Sequence, residues 1–171
     1  MNVFDFAMEM EDSGYEHYTN LANTSSSPGL KKIFNMLAED ERRHFTLFRS
    51  LKEGSHADSL ANSKALDKAK NVFSDLPSEA TSLGHIKDVL EAYQYAMKLE
   101  ADSFRFYEKA AEKEKDPVVK KLLTQVALEE HQHFTILENV YNFVNAPNEY
   151  LEWGEFTNLG EFRQFGRDID K

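Results

Sequence analysis

The chain has 171 residues, 41% of them hydrophobic and 29% charged, and a net charge of −10. That length and composition predict one globular domain with a real core. An acidic surface disfavours nucleic acid, no apolar run approaches the ~20 residues of a membrane span, and the lack of cysteine excludes disulfides, thiol catalysis, iron–sulfur clusters and thiolate zinc sites.

The chain starts Met-Asn-Val-Phe-Asp-Phe, with no basic residue ahead of a short apolar patch. This is not a secretory signal, and a cytoplasmic protein is expected. A first helix is predicted from about Val3 to Asn23. Phe4, Ala7, Glu11, Tyr15, Tyr18 and Ala22 recur three or four apart, on one face. Thr24-Ser25-Ser26-Ser27 breaks it, and Pro28 suits the first turn of the next helix. That second helix runs to about Glu53, with Phe34, Leu37, Ala38, Glu41, His44, Phe45 and Phe48 on one face, and Gly54 and Ser55 end it.

Residues 54–82 are the least regular part. A short helix is expected over Ser63–Ser74, and Thr81 or Ser82 would cap a third long helix. This stretch is long enough to join two parallel helices lying side by side. The third long helix carries Tyr93, Ala96, Glu100, Phe104, Tyr107 and Ala111 on one face. Asp116-Pro117 starts the fourth, with Leu123, Val126, Ala127, Glu130, His133, Phe134 and Leu137. We therefore expect a bundle over residues 1–146. Residues 147–171 form an aromatic tail (Trp153, Phe156, Phe162, Phe165) that straps the bundle or a partner subunit.

The two halves of the chain repeat each other. Shifted by 89 residues, Ala7-Met8-Glu9-Met10-Glu11 lies over Ala96-Met97-Lys98-Leu99-Glu100, Tyr18 over Tyr107 and Pro28 over Pro117. Glu41-Arg42-Arg43-His44-Phe45-Thr46 lies over Glu130-His131-Gln132-His133-Phe134-Thr135. Chance similarity between helices would not hold one register across two helices and their turn. The repeat is two copies of one helical hairpin, each with an apolar face that only the other can cover.

Glu11, Glu41, Glu100 and Glu130 lie inside the apolar stripes, where charge does not belong. Four carboxylates converging in one core need something positive beside them. No Lys or Arg holds a matching position on the four faces. Instead His44 and His133 each follow a Glu by three residues, which puts carboxylate and imidazole about a turn apart on one side of a helix. One Glu from each of two helices and Glu-x-x-His from each of the other two is a dinuclear metal set. A single Glu-x-x-His is a weak signal. Glu53-Gly54-Ser55-His56 is another, rejected because Gly and Ser break the helix and its repeat mates, Asn142 to Asn145, carry neither acid nor imidazole. His17, His85 and His131 are read as ordinary solvated or packed imidazoles. Tyr18 and Tyr107 either hydrogen-bond the ligand carboxylates or are core tyrosines satisfied elsewhere.

These residues resemble the di-iron site of the ferritin-like superfamily. The wording Ala-Met-Lys-Leu-Glu-Ala-Asp-Ser-Phe-Arg-Phe-Tyr-Glu-Lys-Ala-Ala and Glu-Glu-His-Gln-His-Phe is most similar to rubrerythrin. The resemblance covers roughly residues 3–53 and 85–144. It implies an all-α, ferritin-like four-helix bundle of two repeated hairpins with a long crossover, holding two iron ions, or manganese. Glu41 and Glu130 would bridge, Glu11 and Glu100 would be terminal, and His44 and His133 would each hold one ion. No catalytic residue apart from these ligands is expected. The chain departs from rubrerythrins in two ways: it has no cysteine for a rubredoxin-type domain, and Ser103 stands where they carry an extra Glu. Electrons would then come from an external donor such as a rubredoxin. The leading reading is a peroxidase or oxidase that reduces hydrogen peroxide in oxidative-stress defence, as a homodimer. A ferroxidase that handles iron with dioxygen is the second. A bundle with structural metals, acting as an interaction module through its tail, is the third.

Overall fold

The structure is a computed structural model, described over residues 2–55, 63–75 and 86–145. Among these residues there are five helices: α1 (Val3–Thr24), α2 (Pro28–Lys52), α3 (Ala65–Asp75), α4 (Ile86–Lys113) and α5 (Pro117–Asn145). The four long ones build an all-α, ferritin-like bundle. No described helix is long and apolar enough to cross a membrane. The tail, His56, His85, Thr81 and Ser82 lie outside the described residues.

Local chemistry explains where the helices begin and end. Asn2 caps α1 by accepting from the Phe4 N–H at 3.1 Å. Ser27 caps α2, accepting from Leu30 N–H at 3.3 Å, with Pro28 in the first turn. The repeat mate of Ser27 is Asp116, whose carboxylate accepts from Val118 N–H at 2.8 Å and Val119 N–H at 3.3 Å ahead of Pro117. Both hairpin turns thus use one solution. Past Lys52 the chain reaches Gly54 at φ 72, a left-handed backbone that ends the helix.

Helices α1 and α2 pack as one hairpin and α4 and α5 as the other. Between hairpins, α1 runs beside α4, and α2 beside α5. Both pairs are antiparallel, because Tyr18 meets Glu100 where Tyr107 meets Glu11, and His44 meets Glu129 where His133 meets Asp40. The crossover does join two parallel helices, but α2 and α4 lie across the diagonal of the bundle, not side by side. They meet through side chains: Phe34 with Tyr93 at 5.5 Å and Phe48 with Tyr107 at 5.1 Å between ring centres. The reason is compositional. Both Glu-x-x-His helices must be neighbours for their imidazoles to share one site. The core is filled by Ile33, Phe34, Leu37, Phe48, Leu122, Ile136 and Leu137, all fully buried. α3 packs on α2 and α5 and so covers only that side of the bundle.

Candidate metal centre

The bundle brings all six predicted ligands together. Glu11 comes from α1, Glu41 and His44 from α2, Glu100 from α4, and Glu130 and His133 from α5. All are buried. They fall into two overlapping groups, Glu11–Glu41–His44–Glu130 and Glu41–Glu100–Glu130–His133. Within each group one donor atom per residue lies within 4.8 Å of the others. Glu41 and Glu130 belong to both. His44 Nδ1 lies 3.1 Å from Glu130 Oε1 and 3.3 Å from Glu11 Oε2. His133 Nδ1 lies 3.0 Å from Glu41 Oε1 and 3.5 Å from Glu100 Oε1. The two imidazoles are 5.9 Å apart and nearly parallel.

The electrostatics are severe. Burial first, and then the charges of neighbouring carboxylates, push Glu41 and Glu130 well above the usual carboxylate range. For His44 and His133 burial pulls downward. The carboxylates around them, Glu11 for the first and Glu100 for the second, outweigh it and raise both well above an ordinary imidazole. Even so, Glu41 Oε1, Glu100 Oε2, both Glu130 oxygens and His133 Nδ1 have no hydrogen-bond partner. The close approaches between them lack hydrogen-bond geometry. Buried polar atoms are nearly always satisfied, so five orphans in one cluster demand a ligand. Their donor set, oxygen and imidazole nitrogen without sulfur, suits iron or manganese.

Around this cluster runs a layer of residues that sequence reasoning missed. His44 Nε2 lies 2.8 Å from Glu129 Oε2, and His133 Nε2 lies 3.0 Å from Asp40 Oδ2. A carboxylate only accepts, so each Nε2 carries the hydrogen and each Nδ1 is left to face the cluster. Burial raises Asp40 and Glu129, but the imidazoles, Ser63 and Arg43 outweigh it and hold both below the ordinary carboxylate range. Arg43 ties the two acids together, 2.8 Å from Asp40 Oδ1 and 2.9 Å from Glu129 Oε2. Ser63 closes the layer from the crossover. Its hydroxyl donates to Asp40 Oδ2, and its N–H donates to Glu129 Oε1 at 3.1 Å. The same hydroxyl oxygen accepts from Ala65 N–H at 3.1 Å at the start of α3.

On the opposite side the tyrosines cross between hairpins. Tyr18 Oη donates to Glu100 Oε1, and Tyr107 Oη donates to Glu11 Oε1. Of the other histidines, His17 packs edge-on against Tyr95 at 5.2 Å and His131 sits against Phe104 at 6.2 Å. Burial lowers both. Between α1 and α4 opens a cleft of about 1000 Å³ whose lining includes Gly14, Tyr18, Glu41, Glu100 and Ser103. Gly14 lies mid-helix, where glycine costs roughly 0.5–1 kcal/mol relative to alanine. Close approach explains it: a Cβ there would stand 2.5 Å from Glu41 Oε2.

A ferritin-like bundle with two overlapping Glu/His clusters at its centre defines the class: a helical protein built to hold a pair of metal ions. The chain belongs to the rubrerythrin family, which it matches over residues 2–141. This is a family of di-iron proteins. No curated protein and no solved structure gives a match.

Proposed function

We propose that Glu11, Glu41, His44, Glu100, Glu130 and His133 hold two iron ions, and that the protein reduces hydrogen peroxide with electrons from an external donor. The observation that carries this reading is the pair of overlapping ligand groups that share Glu41 and Glu130. Two sharing carboxylates, two terminal ones and one imidazole per ion make a dinuclear site with positions left over for an oxidant. When bound, two ferrous ions would supply one electron each and act as paired Lewis acids.

The chain's own residues do the rest. Glu129 and Asp40 fix the imidazole tautomers, so that Nδ1 of each faces inward. The tyrosine hydroxyls hold the outer oxygens of Glu100 and Glu11 by donating to them. Among the described residues the six ligands are buried, and the α1/α4 cleft reaches Glu41 and Glu100. That cleft argues against purely structural metals, which favour closed coordination.

One observation favours a second reading. Ser103 supplies no carboxylate one turn past Glu100, so the set is a symmetric four Glu and two His. That balance suits a ferroxidase using dioxygen. The test is anaerobic loading with ferrous iron, a count of metal per chain, and stopped-flow absorbance against peroxide and dioxygen. The Glu41→Ala, Glu130→Ala double variant is the control. We expect two irons per chain and faster oxidation by peroxide. Dioxygen as the better oxidant would move the assignment to ferroxidase chemistry. Metal content no higher than the control's would sink the site itself.

A further inference from the structure

The walls of the α1/α4 cleft are repeat mates. Phe6 and Tyr95, Met10 and Leu99, Gly14 and Ser103, and His17 and Phe106 each differ by 89, and all line it. Two ring contacts obey the same symmetry. Phe6 meets Phe106 at 4.9 Å between ring centres, and His17 meets Tyr95 at 5.2 Å. At its mouth Phe6 is 42% and Tyr95 53% exposed. The floor of the cleft breaks the symmetry. Glu41, Glu100 and Tyr18 line it, whereas Glu130, Glu11, Tyr107 and both imidazoles do not. Of the two carboxylates common to both ligand groups, only Glu41 faces the opening.

The residues at position 14 and its repeat mate account for the difference. On α1, Gly14 has no side chain, and the Glu41 carboxylate occupies the room a Cβ would need, 2.5 Å from Oε2 and 3.1 Å from Cδ. On α4, the equivalent Ser103 carries a Cβ and a hydroxyl, and Glu130 does not line the cleft.

We propose that the α1/α4 cleft is the route by which a small oxidant reaches the site, and that Gly14 is a positioning residue that sets Glu41, rather than Glu130, at its inner end. The inference rests on the metal-binding reading above. It adds that the two ion positions are unequal. The one shared by Glu41, Glu100, Glu130 and His133 is approached from solvent, and the one with Glu11 and His44 is enclosed. Ser103 is the wall residue through which the route can be blocked without touching Glu41.

The test uses cobalt(II) as the metal and azide as a small anionic probe, in the absence of any turnover. Metal per chain is counted first. The visible cobalt spectrum is then titrated with azide for wild type, Gly14→Ala and Ser103→Phe, with helicity followed by circular dichroism. Wild type should hold two cobalt ions and show one saturable azide transition. Ser103→Phe should keep both ions and bind azide about tenfold or more weakly. Gly14→Ala should do the same. Loss of one cobalt from Gly14→Ala, with helicity unchanged, would equally support its hold on Glu41. Azide affinity in Ser103→Phe within about twofold of wild type would overturn the route. Wild-type spectrum and affinity in Gly14→Ala would overturn the positioning role. If wild type held no more cobalt than the Glu41→Ala, Glu130→Ala variant, the metal reading would fall, and the inference with it. That failure shows before azide is added.

Discussion

The two faces of the bundle, each built from a pair of repeat-related helices, do opposite work. The α2/α5 face is closed. Asp40, Glu129, Arg43 and Ser63 form a connected layer behind the imidazoles, and α3 lies over it. Among the described residues the α1/α4 face is open: two tyrosine hydroxyls hold the outer carboxylates there, and a cleft lined in part by His17 and Ser103 leads in to Glu41. Rigid orientation and access to solvent are hard to combine in one wall. Here they are divided between two.

The largest expected effect lies where the faces meet. Glu130→Gln should abolish paired metal binding and yet make the metal-free protein more stable, by about 1–3 kcal/mol, because it neutralises a buried carboxylate with no partner. Chemical denaturation with chelator present checks this, and lower stability than wild type would mean that the carboxylates are not repelling one another. Next come the residues behind the imidazoles. Asp40→Asn and Glu129→Gln should weaken metal binding by roughly 10–100-fold, read by competition with a chromophoric chelator. A larger loss from Tyr18→Phe than from either would contradict the division between the faces.

The tyrosines offer a finer comparison. Tyr107→Phe leaves a sealed Glu11 oxygen without its donor and should cost about 1–3 kcal/mol in the loaded protein. Tyr18→Phe should cost less, because water from the cleft can replace the hydroxyl at Glu100. Thermal unfolding of both loaded variants ranks them. The last comparison is the pH slope of the metal-free protein. Glu41 and Glu130 are raised in the fold, so their contribution is full below their ordinary 4.5 and fades as pH rises through their folded values. His44 and His133, raised above 6.5, act in the same sense at higher pH. Asp40 and Glu129 are lowered and oppose this, losing their contribution as pH falls below about 4. Metal-free stability should therefore decline from about pH 5 to pH 8. Melting curves across that range in chelator would show it, and a rise would reverse the assignment.

Much of this was legible in the sequence because acids inside an apolar stripe are conspicuous and a repeat doubles every signal. The helix ends follow from Asn2, Ser27, Pro28, Gly54 and Asp116, and fall within a residue or two of expectation for α1, α2 and α5. Asp40 and Glu129 escaped notice although they too are repeat mates, since each precedes a ligand Glu and falls off the stripe, where an acid normally meets water. Their burial comes from the crossover, through Ser63, which no helical pattern can place. Arg43 was hidden because its mate is Gln132, so the repeat gave it no support. The diagonal relation of α2 and α4 was also out of reach. Periodicity shows that a helix has a buried face but not which helix it faces.

Gly14 and Ser103 point to what linking the halves made available. Two separate, identical hairpins could assemble the same six ligands about a true two-fold axis, but every residue would then be bound to appear twice. A glycine that let one carboxylate lean towards solvent would do so for both, and a serine would deny it to both. Joined in tandem, each copy is free to differ at single positions, and one hairpin can keep a berth that the other has filled.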